Sequence, residues 1–307
     1  MDGPVLLSGT PHPALARSLA DALGIEPAQV DVGRFPDGEV SVRLRRPVAD
    51  RRVILVQPLA PPVNDSLLEL LALADASRRA GAFDVTAVIP YLAYARADSR
   101  SGRDEPVTAR LVADQIQAAG IGRVVALDLH AAAIEGFFTV PVEHRSAVGA
   151  LAGALAGRLP PETVVVSPDL GRVEDAVRYG EHLDLPIAAV AKRRRSGTTV
   201  EATVVIGDVR DRPCVIIDDM ISTGGTIVEA VRALTEAGAR PEITVAATHG
   251  IFVSDALARI EAAGVREVWV TDSLPRRKDA AGHTRVVPIA PVLAEAVRRL
   301  FGFVRDV

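Results

Sequence analysis

The sequence is poor in the residues that build disulfides, thiolate metal sites and membrane spans. Its 307 residues include one cysteine, Cys214, which lies in an apolar run. One cysteine forms neither an intrachain disulfide nor a thiolate metal site, so we expect Cys214 to be a buried bystander. No stretch of about 18 apolar residues occurs, and the first residues lack the pattern of a signal peptide. These absences predict a soluble, cytoplasmic protein that does not enter a membrane.

Aromatic residues and net charge are also scarce. Aromatics make up 4% of the residues and hydrophobic residues 49%, so aliphatic side chains and alanine must fill the core. The chain has 35 Lys and Arg residues against 39 Asp and Glu residues, a net charge of -4. Because no basic excess creates a field that attracts polyanions, the composition argues against a nucleic-acid-binding protein.

Short β-branched runs alternate with helical segments rich in Ala and Leu. The predicted strands include 53–57, 85–90, 124–128, 164–167, 187–190, 214–218, 243–247 and 267–271. The predicted helices include 65–79, 107–119, 172–183 and 226–237. This alternation is typical of βαβ units with a mostly parallel sheet.

The alternation runs through the chain twice, and the length suits two domains. We therefore predict two tandem α/β domains, 1–145 and 146–307, each a mostly parallel sheet flanked by helices. The last helix, about 290–307, could pack on the first domain instead. The functional site is expected in the crevice outside the carboxyl ends of the strands.

The clearest motif lies in residues 214–226. An apolar strand is predicted to end in Asp218 and Asp219, and a small-residue loop leads to a helix beginning near Thr226. Glycines allow close approach of the backbone to an anion, and a helix N-terminus presents free N–H groups. The carboxylates at the rim would accept hydrogen bonds from vicinal ribose hydroxyls. The residues predicted to hold a ribose phosphate are Ser222, Thr223, Gly224, Gly225 and Thr226.

An ordinary strand–turn–helix capped by Thr226 is the alternative, but the combination of acidic, hydroxyl and glycine residues favours the phosphate loop. The loop resembles the ribose 5-phosphate loop of two families, the phosphoribosyltransferases and the phosphoribosyl-diphosphate synthetases. The loop alone does not decide between them.

The first half of the chain carries two polar clusters. In residues 33–40, Phe35 could stack on adenine while Asp37 and Glu39 accept hydrogen bonds from its amino group. A hairpin turn at Asp37 and Gly38 is the competing interpretation. In residues 90–98, Arg96 would pair with a polyphosphate, and a solvated loop is the alternative.

Two further clusters contain candidate metal ligands and cations. His130 follows one predicted strand and Asp169 follows another, so the two could share Mg²⁺, although a structural histidine is the simpler interpretation. Residues 191–197 contain four consecutive cations, which form either a solvated loop or a loop that closes over a triphosphate.

In this order and spacing the clusters resemble the ribose-phosphate diphosphokinase family, over nearly the whole chain. Residues 64–70, 128–132, 167–171 and 218–226 carry the resemblance. It implies two phosphoribosyltransferase-like domains and transfer of the diphosphoryl group of Mg-ATP to the C1 hydroxyl of ribose 5-phosphate. It also implies homo-oligomers, in which residues 35–39 reach the ATP site of a neighbour.

The resemblance assigns roles residue by residue. Lys192 and Arg194 match the pair that stabilises the transition state, and His130 and Asp169 match the Mg²⁺ ligands. Ribose 5-phosphate would be bound by Asp218, Asp219 and residues 222–226. ATP would be bound by Phe35, Asp37, Gly38, Glu39, Arg96 and Asp98.

Three positions depart from the family pattern. Ala97 stands where glutamine is usual, Arg172 follows Gly171 where a second glycine is usual, and Ser222 stands where aspartate is frequent. Ala97 and Arg172 motivate one alternative, a non-catalytic regulatory homologue. A phosphoribosyltransferase with an extra domain stays open as another.

Overall fold

A computed structural model describes residues 3–100, 102–194, 201–277, 282 and 284–302, with only the backbone described at 192–194 and 201–202. The chain divides into two compact units. Unit 1 comprises Met1–Ser146, Ser273–Pro275 and Ile289–Val307, and unit 2 comprises Ala147–Asp272 and Arg276–Pro288.

Unit 1 is built on a parallel sheet. Its strands are β1 (Val5–Ser8), β2 (Val30–Arg34), β3 (Val40–Leu44), β4 (Arg52–Val56), β5 (Asp84–Ile89), β6 (Arg123–Leu127) and β7 (Val142–Arg145). Its first helices are α1 (Pro13–Leu23), α2 (Val63–Arg79) and α3 (Thr108–Ala118). The sheet order is β1-β4-β5-β6-β7 with parallel pairing throughout, and β2 and β3 form a separate antiparallel hairpin. The central strands are buried, as expected for a parallel sheet covered by helices.

Unit 2 is built on a second, larger sheet. Its strands are β8 (Val164–Ser167), β9 (Ile187–Arg194), β10 (Glu201–Ile206), β11 (Cys214–Ile221), β12 (Ile243–Gly250), β13 (Val265–Thr271) and β14 (Thr284–Val287). Its helices are α4 (Val148–Leu155), α5 (Val173–Leu183), α6 (Gly225–Glu236) and α7 (Ala256–Ala262). The order is β10-β9-β8-β11-β12-β13-β14, and the pairing is parallel except between β9 and β10. The predicted fold class is confirmed in both units.

The last helix, α8 (Ala290–Phe301), belongs to unit 1. It packs against α1, and Arg298 donates a hydrogen bond to the carbonyl oxygen of Ala22. The cation of Arg52 also lies over the ring of Phe301, 5.6 Å from its centroid. In the described part of the chain, no helix is long and apolar enough to cross a membrane.

Several strands of unit 2 are longer than the sequence predicts, and two of these extensions, in β11 and β9, involve candidate site residues. β11 continues beyond Asp218 and Asp219 because Met220 and Ile221 keep pairing with β12. The prediction that the strand ends in the two aspartates is therefore wrong. β9 continues through Arg194 because β10 returns antiparallel beside it, with Lys192 opposite Thr203. Residues 191–194, predicted as part of a loop, are therefore strand backbone.

Candidate active site

The predicted phosphate loop of unit 2 joins β11 to α6. The carbonyl groups at the start of this loop accept hydrogen bonds from other parts of unit 2. Ser222 O accepts from Val253 N at 2.9 Å, and Thr223 O accepts from Arg259 Nη1 at 3.2 Å. Gly224 O accepts from Val228 N at 3.0 Å, within the first turn of α6. The opposite groups, the backbone N–H groups of residues 222–226, have no hydrogen-bond acceptor among the residues that the structure describes. Such a row of N–H groups at a helix N-terminus is suited to bind an anion.

Gly224 gives this loop its shape. Its φ is 76°, in the left-handed region that favours glycine, and it immediately precedes α6. A Cβ atom there would lie 3.0 Å from side-chain carbons of Ile260. The helix begins at Gly225, one residue before the predicted start at Thr226. Thr223 and Thr226 are exposed and Ser222 is half-buried.

The two aspartates are not at an open rim. The side chain of Asp219 is 5% exposed and that of Asp218 is 12% exposed. Arg172 lies against them, with Nη2 2.5 Å from Asp219 Oδ2 and Nε 4.0 Å from Asp218 Oδ1. Burial, and then the neighbouring charge of Asp219, hold the pKa of Asp218 well above its usual value. The acidic pair is thus a semi-enclosed group of hydrogen-bond acceptors.

Asp169 lies on the loop that follows β8, the strand paired with β11. Its side chain is exposed, and Oδ1 accepts a hydrogen bond from Gly171 N at 2.7 Å. The same loop carries Arg172, so the structure brings this loop and the acidic pair together at one edge of the unit 2 sheet. The backbone of Lys192 and Arg194 forms the end of β9, which is parallel to β8. The side chains of both lie outside the described residues.

Residues 33–40 of unit 1 form the hairpin that connects β2 and β3. Gly38 N donates to Phe35 O at 2.9 Å, and Gly38 has φ of 96°. Pro36 and this glycine suit such a tight turn, so the hairpin interpretation is correct for the backbone. Arg34 anchors the hairpin to α2 by an ion pair with Asp65 at 2.7 Å. Phe35 is 54% exposed, and Asp37 and Glu39 are exposed too, so all three side chains are accessible from solvent.

The loop of residues 90–98 begins at the carboxyl end of β5. Arg96 is exposed, and Asp98 is half-buried with Oδ1 accepting from Ser99 Oγ at 3.2 Å. The loop is held by Tyr94, whose φ is 65° and whose hydroxyl donates to Asn64 Oδ1. Arg96 is therefore available to an anion at this edge of the sheet.

His130 follows β6, the next strand of the same sheet, and is half-buried. The preceding Leu129 donates its N–H to His144 Nε2 at 3.0 Å, and His144 Nδ1 lies 2.7 Å from Glu135 Oε1. The carboxyl ends of β5 and β6 thus place Arg96 and His130 at one edge of unit 1.

The predicted metal ligands divide between the units, His130 in unit 1 and Asp169 in unit 2. Within the described residues, no group of three or more His, Cys, Asp or Glu side chains could hold a metal ion. The shared ligation of Mg²⁺ stays a prediction.

Sequence reasoning missed the partners of these residues. Arg172 appeared only as a departure from a glycine pair, although it contacts Asp219, 47 positions away in the chain. His144 and Glu135 were not singled out at all. Their signal was weak, since a histidine and a glutamate near a strand are most often surface residues.

Comparisons with known proteins give a consistent picture. Residues 4–120 match the family described as the N-terminal domain of ribose phosphate pyrophosphokinase, and residues 198–303 match the phosphoribosyl synthetase-associated domain. The chain is 39% identical over 299 residues to a ribose-phosphate pyrophosphokinase of Clostridium acetobutylicum, covering 96% of this chain and 93% of that protein. It is 40% identical over 298 residues to the ribose-phosphate pyrophosphokinase of Thermotoga maritima, with coverage of 96% and 94%.

A solved structure is similar over the same length. It is the crystal structure of phosphoribosylpyrophosphate synthetase from Mycobacterium smegmatis, with a TM-score of 0.90 and 38% sequence identity. The match covers 99% of this chain and 100% of that one.

Proposed function

Because the chain belongs to the ribose-phosphate pyrophosphokinase family, we propose that its substrates are Mg-ATP and D-ribose 5-phosphate. The family reaction forms phosphoribosyl diphosphate for nucleotide biosynthesis, and the chain is a diphosphotransferase of this kind. The diphosphoryl group of ATP moves to the C1 hydroxyl of ribose 5-phosphate and AMP leaves.

The acceptor site is the loop of residues 222–226. One observation supports this assignment. The backbone N–H groups of the loop have no acceptor among the described residues, whereas the carbonyl oxygens of Ser222, Thr223 and Gly224 all accept hydrogen bonds from unit 2. The 5-phosphate would accept hydrogen bonds from these N–H groups and from the hydroxyls of Ser222, Thr223 and Thr226. The phosphate anchors the sugar, so that its other end has a defined position.

The acidic pair binds the opposite side of the sugar. The side-chain oxygens of Asp218 and Asp219 together offer several lone pairs to the vicinal hydroxyls of ribose. Holding the sugar at both ends leaves the C1 hydroxyl as the group free to react. Most of the catalytic effect then comes from positioning and from charges placed around the transferred phosphoryl oxygens.

The donor site draws on three parts of the chain. Phe35 would stack on adenine, with Asp37, Gly38 and Glu39 of the same hairpin beside the base, and its large exposed ring supports this role. Arg96 and Asp98 would contact the polyphosphate side of ATP, Arg96 by charge-assisted hydrogen bonds. Lys192 and Arg194 would stabilise the negative charge that builds on the β-phosphoryl oxygens and on AMP.

His130 and Asp169 would hold Mg²⁺. The carboxylate of Asp169 is exposed, and its Oδ1 atom accepts a hydrogen bond from Gly171 N in the same loop. Its other oxygen, Oδ2, is suited to bind a hard cation. An ion held there with ATP would supply positive charge to the phosphate oxygens. A cytoplasmic location and a homo-oligomeric assembly belong to the proposal as well.

The acceptor assignment is tested with Thr226→Ala and Ser222→Ala, which each remove a hydroxyl donor and leave the backbone in place. We expect the KM for ribose 5-phosphate to rise about tenfold, because a hydrogen bond to a charged group contributes roughly 1.5–3 kcal/mol. The KM for ATP should stay unchanged. Thr235→Ala is the matched control, since Thr235 Oγ1 donates to Val231 O inside the same helix. An unchanged KM for ribose 5-phosphate in both loop variants would refute the assignment.

A further inference from the structure

One guanidinium group in unit 2 is surrounded by three carboxylates. Arg172 lies in the short 3₁₀ turn Leu170–Arg172 that precedes α5. Its nitrogens lie 2.5 Å from Asp219 Oδ2, 3.6 Å from Asp175 Oδ2 and 4.0 Å from Asp218 Oδ1. The Arg172 side chain is only 14% exposed, so these contacts are shielded from water. An ion pair at this depth is far less screened than one on the surface.

The pair of aspartates needs such a partner. Adjacent carboxylates repel each other, and burial adds the cost of removing their hydration. Asp219 N also donates to Asp218 Oδ1 at 2.9 Å, which fixes the rotamer of Asp218. The side chain of Asp219 is contacted by Arg172 at 2.5 Å.

We propose that Arg172 is a positioning residue of the ribose 5-phosphate site, which orients the Asp218–Asp219 pair to accept hydrogen bonds from the ribose hydroxyls. This rests on the proposed function, because it assigns the sugar to the acidic pair. The guanidinium does not touch the sugar in this account; it acts through the carboxylates.

Removal of the guanidinium has a specific chemical consequence. Burial and Asp219 favour a proton on Asp218, and the charge of Arg172 opposes it, so loss of the guanidinium raises the pKa of Asp218 further. A proton on Asp218 occupies a lone pair and turns one acceptor into a donor. The site then offers fewer acceptors to the two ribose hydroxyls, and ribose 5-phosphate binds more weakly.

The contact also links two segments, the loop that carries Asp169 and the strand that carries Asp219. A purely structural link would act on Asp169, and its loss would change the Mg²⁺ requirement. A positioning role for the acidic pair changes the affinity for the sugar instead. The two roles therefore predict different kinetic parameters.

The experiment compares Arg172→Gln and Arg172→Lys with the parent full-length chain. Steady-state kinetics give the KM values for ribose 5-phosphate and ATP, kcat and the half-saturating Mg²⁺ concentration, and calorimetry gives ribose 5-phosphate affinity without ATP. In Arg172→Gln the KM and the Kd for ribose 5-phosphate should rise about tenfold or more, as expected for loss of charge-assisted support. The KM for ATP and the half-saturating Mg²⁺ concentration should stay within about twofold, a change too small to report a lost contact. Arg172→Lys keeps the positive charge but lacks the planar set of N–H donors. Its KM and Kd for ribose 5-phosphate should therefore lie between those of Arg172→Gln and the parent chain.

Arg178→Gln is the matched control. Arg178 lies in α5, which follows the turn that carries Arg172, and pairs with Asp175 at 3.7 Å. Its side chain is 46% exposed and makes no contact with Asp218 or Asp219 that the structure describes. It should behave as the parent chain. If Arg172→Gln does not fold, Arg172→Lys decides alone, through its KM and Kd for ribose 5-phosphate.

Parent-like ribose 5-phosphate affinity in the folded Arg172 variants would overturn the inference, and so would a change confined to the Mg²⁺ requirement. Neither result would affect the proposed function. A parent chain that forms no AMP from ATP and ribose 5-phosphate would instead refute the function itself.

Discussion

His144 supports the loop that carries His130. Its Nε2 atom accepts a hydrogen bond from Leu129 N at 3.0 Å, and its Nδ1 atom lies 2.7 Å from Glu135 Oε1. Because Nε2 is the acceptor, a neutral imidazole carries its proton on Nδ1 and donates it to Glu135. The loop also contains Asp128 at φ of 38°, an unusual conformation for a residue other than glycine. The chain Glu135–His144–Leu129 thus fixes the backbone on which the predicted metal ligand stands.

Replacing Glu135 tests this support. Glu135→Ala removes the acceptor for His144 Nδ1–H, whereas Glu135→Gln keeps a carbonyl oxygen there. We expect Glu135→Ala to raise the half-saturating Mg²⁺ concentration by about 10–100-fold, the usual cost of losing an outer-shell partner of a metal ligand. Glu135→Gln should stay close to the parent chain. Equal Mg²⁺ titrations of the two variants would show that this chain of hydrogen bonds does not support the metal site.

Gly224 should tolerate no side chain. In Gly224→Ala the φ of 76° is strained and the new Cβ meets Ile260 at 3.0 Å. We expect a loss of about 1–2 kcal/mol in the free energy of unfolding and weaker binding of ribose 5-phosphate. Gly225→Ala is the control, because Gly225 is the first residue of α6 and the nearest atom, Thr223 Oγ1, lies 3.8 Å from its Cβ position. Urea unfolding of both variants checks the prediction, which fails if they lose equal stability.

Asp218 is predicted to lower the free energy of unfolding near neutral pH, although the reaction with ribose 5-phosphate needs it. Its pKa is raised in the folded state by burial first and by Asp219 second, so the folded chain binds its proton more tightly than the unfolded chain. The contribution of Asp218 to the free energy of unfolding therefore decreases as the pH rises from about 4 through its folded pKa. Asp218→Asn keeps an acceptor for Asp219 N and removes the charge.

The Asp218→Asn variant should be more stable than the parent chain near pH 8 by about 0.5–2 kcal/mol, and the difference should shrink near pH 5. AMP formation from ribose 5-phosphate should fall sharply in the same variant. Urea unfolding at the two pH values measures the first effect. A variant less stable than the parent at both pH values would contradict the account of this buried carboxyl.

Cys214 should be chemically inert. It is fully buried at the start of β11, and burial raises the pKa of its thiol to about 11. At pH 8 only about one thiol in a thousand would be ionised, and the thiolate is the reactive form. Iodoacetamide should leave the native protein unmodified and add one group after denaturation, since the chain has one cysteine. Intact-mass measurement shows either result, and rapid modification of the native chain would exclude the buried position.

Much of the fold was predictable from local sequence. The β-branched runs of β4, β5 and β6 are buried, and a helix follows the small-residue loop, as the sequence predicts. These features depend on residues that are close together in the chain. Local conformational preference and hydrophobic pattern are therefore enough to predict them.

Features that depend on distant partners were not predictable. The length of β11 is set by β12, and that of β9 by β10, neither of which a single strand pattern reveals. The burial of Asp219 depends on Arg172, and the tautomer of His144 depends on Leu129 and Glu135. A charged residue after a buried strand looks the same in sequence whether it is solvated or paired. Contacts across the sheet edge decide between these outcomes.

The central claim is that the diphosphoryl group of ATP reaches the C1 hydroxyl of ribose 5-phosphate. The most direct measurement follows nucleotides and sugar phosphates by ³¹P NMR in a mixture of the protein, Mg-ATP and ribose 5-phosphate. We predict AMP and a C1 diphosphate of ribose 5-phosphate in equal amounts, with neither formed when ribose replaces ribose 5-phosphate. Formation of ADP with a singly phosphorylated C1, or nucleotide binding without AMP, would contradict the account.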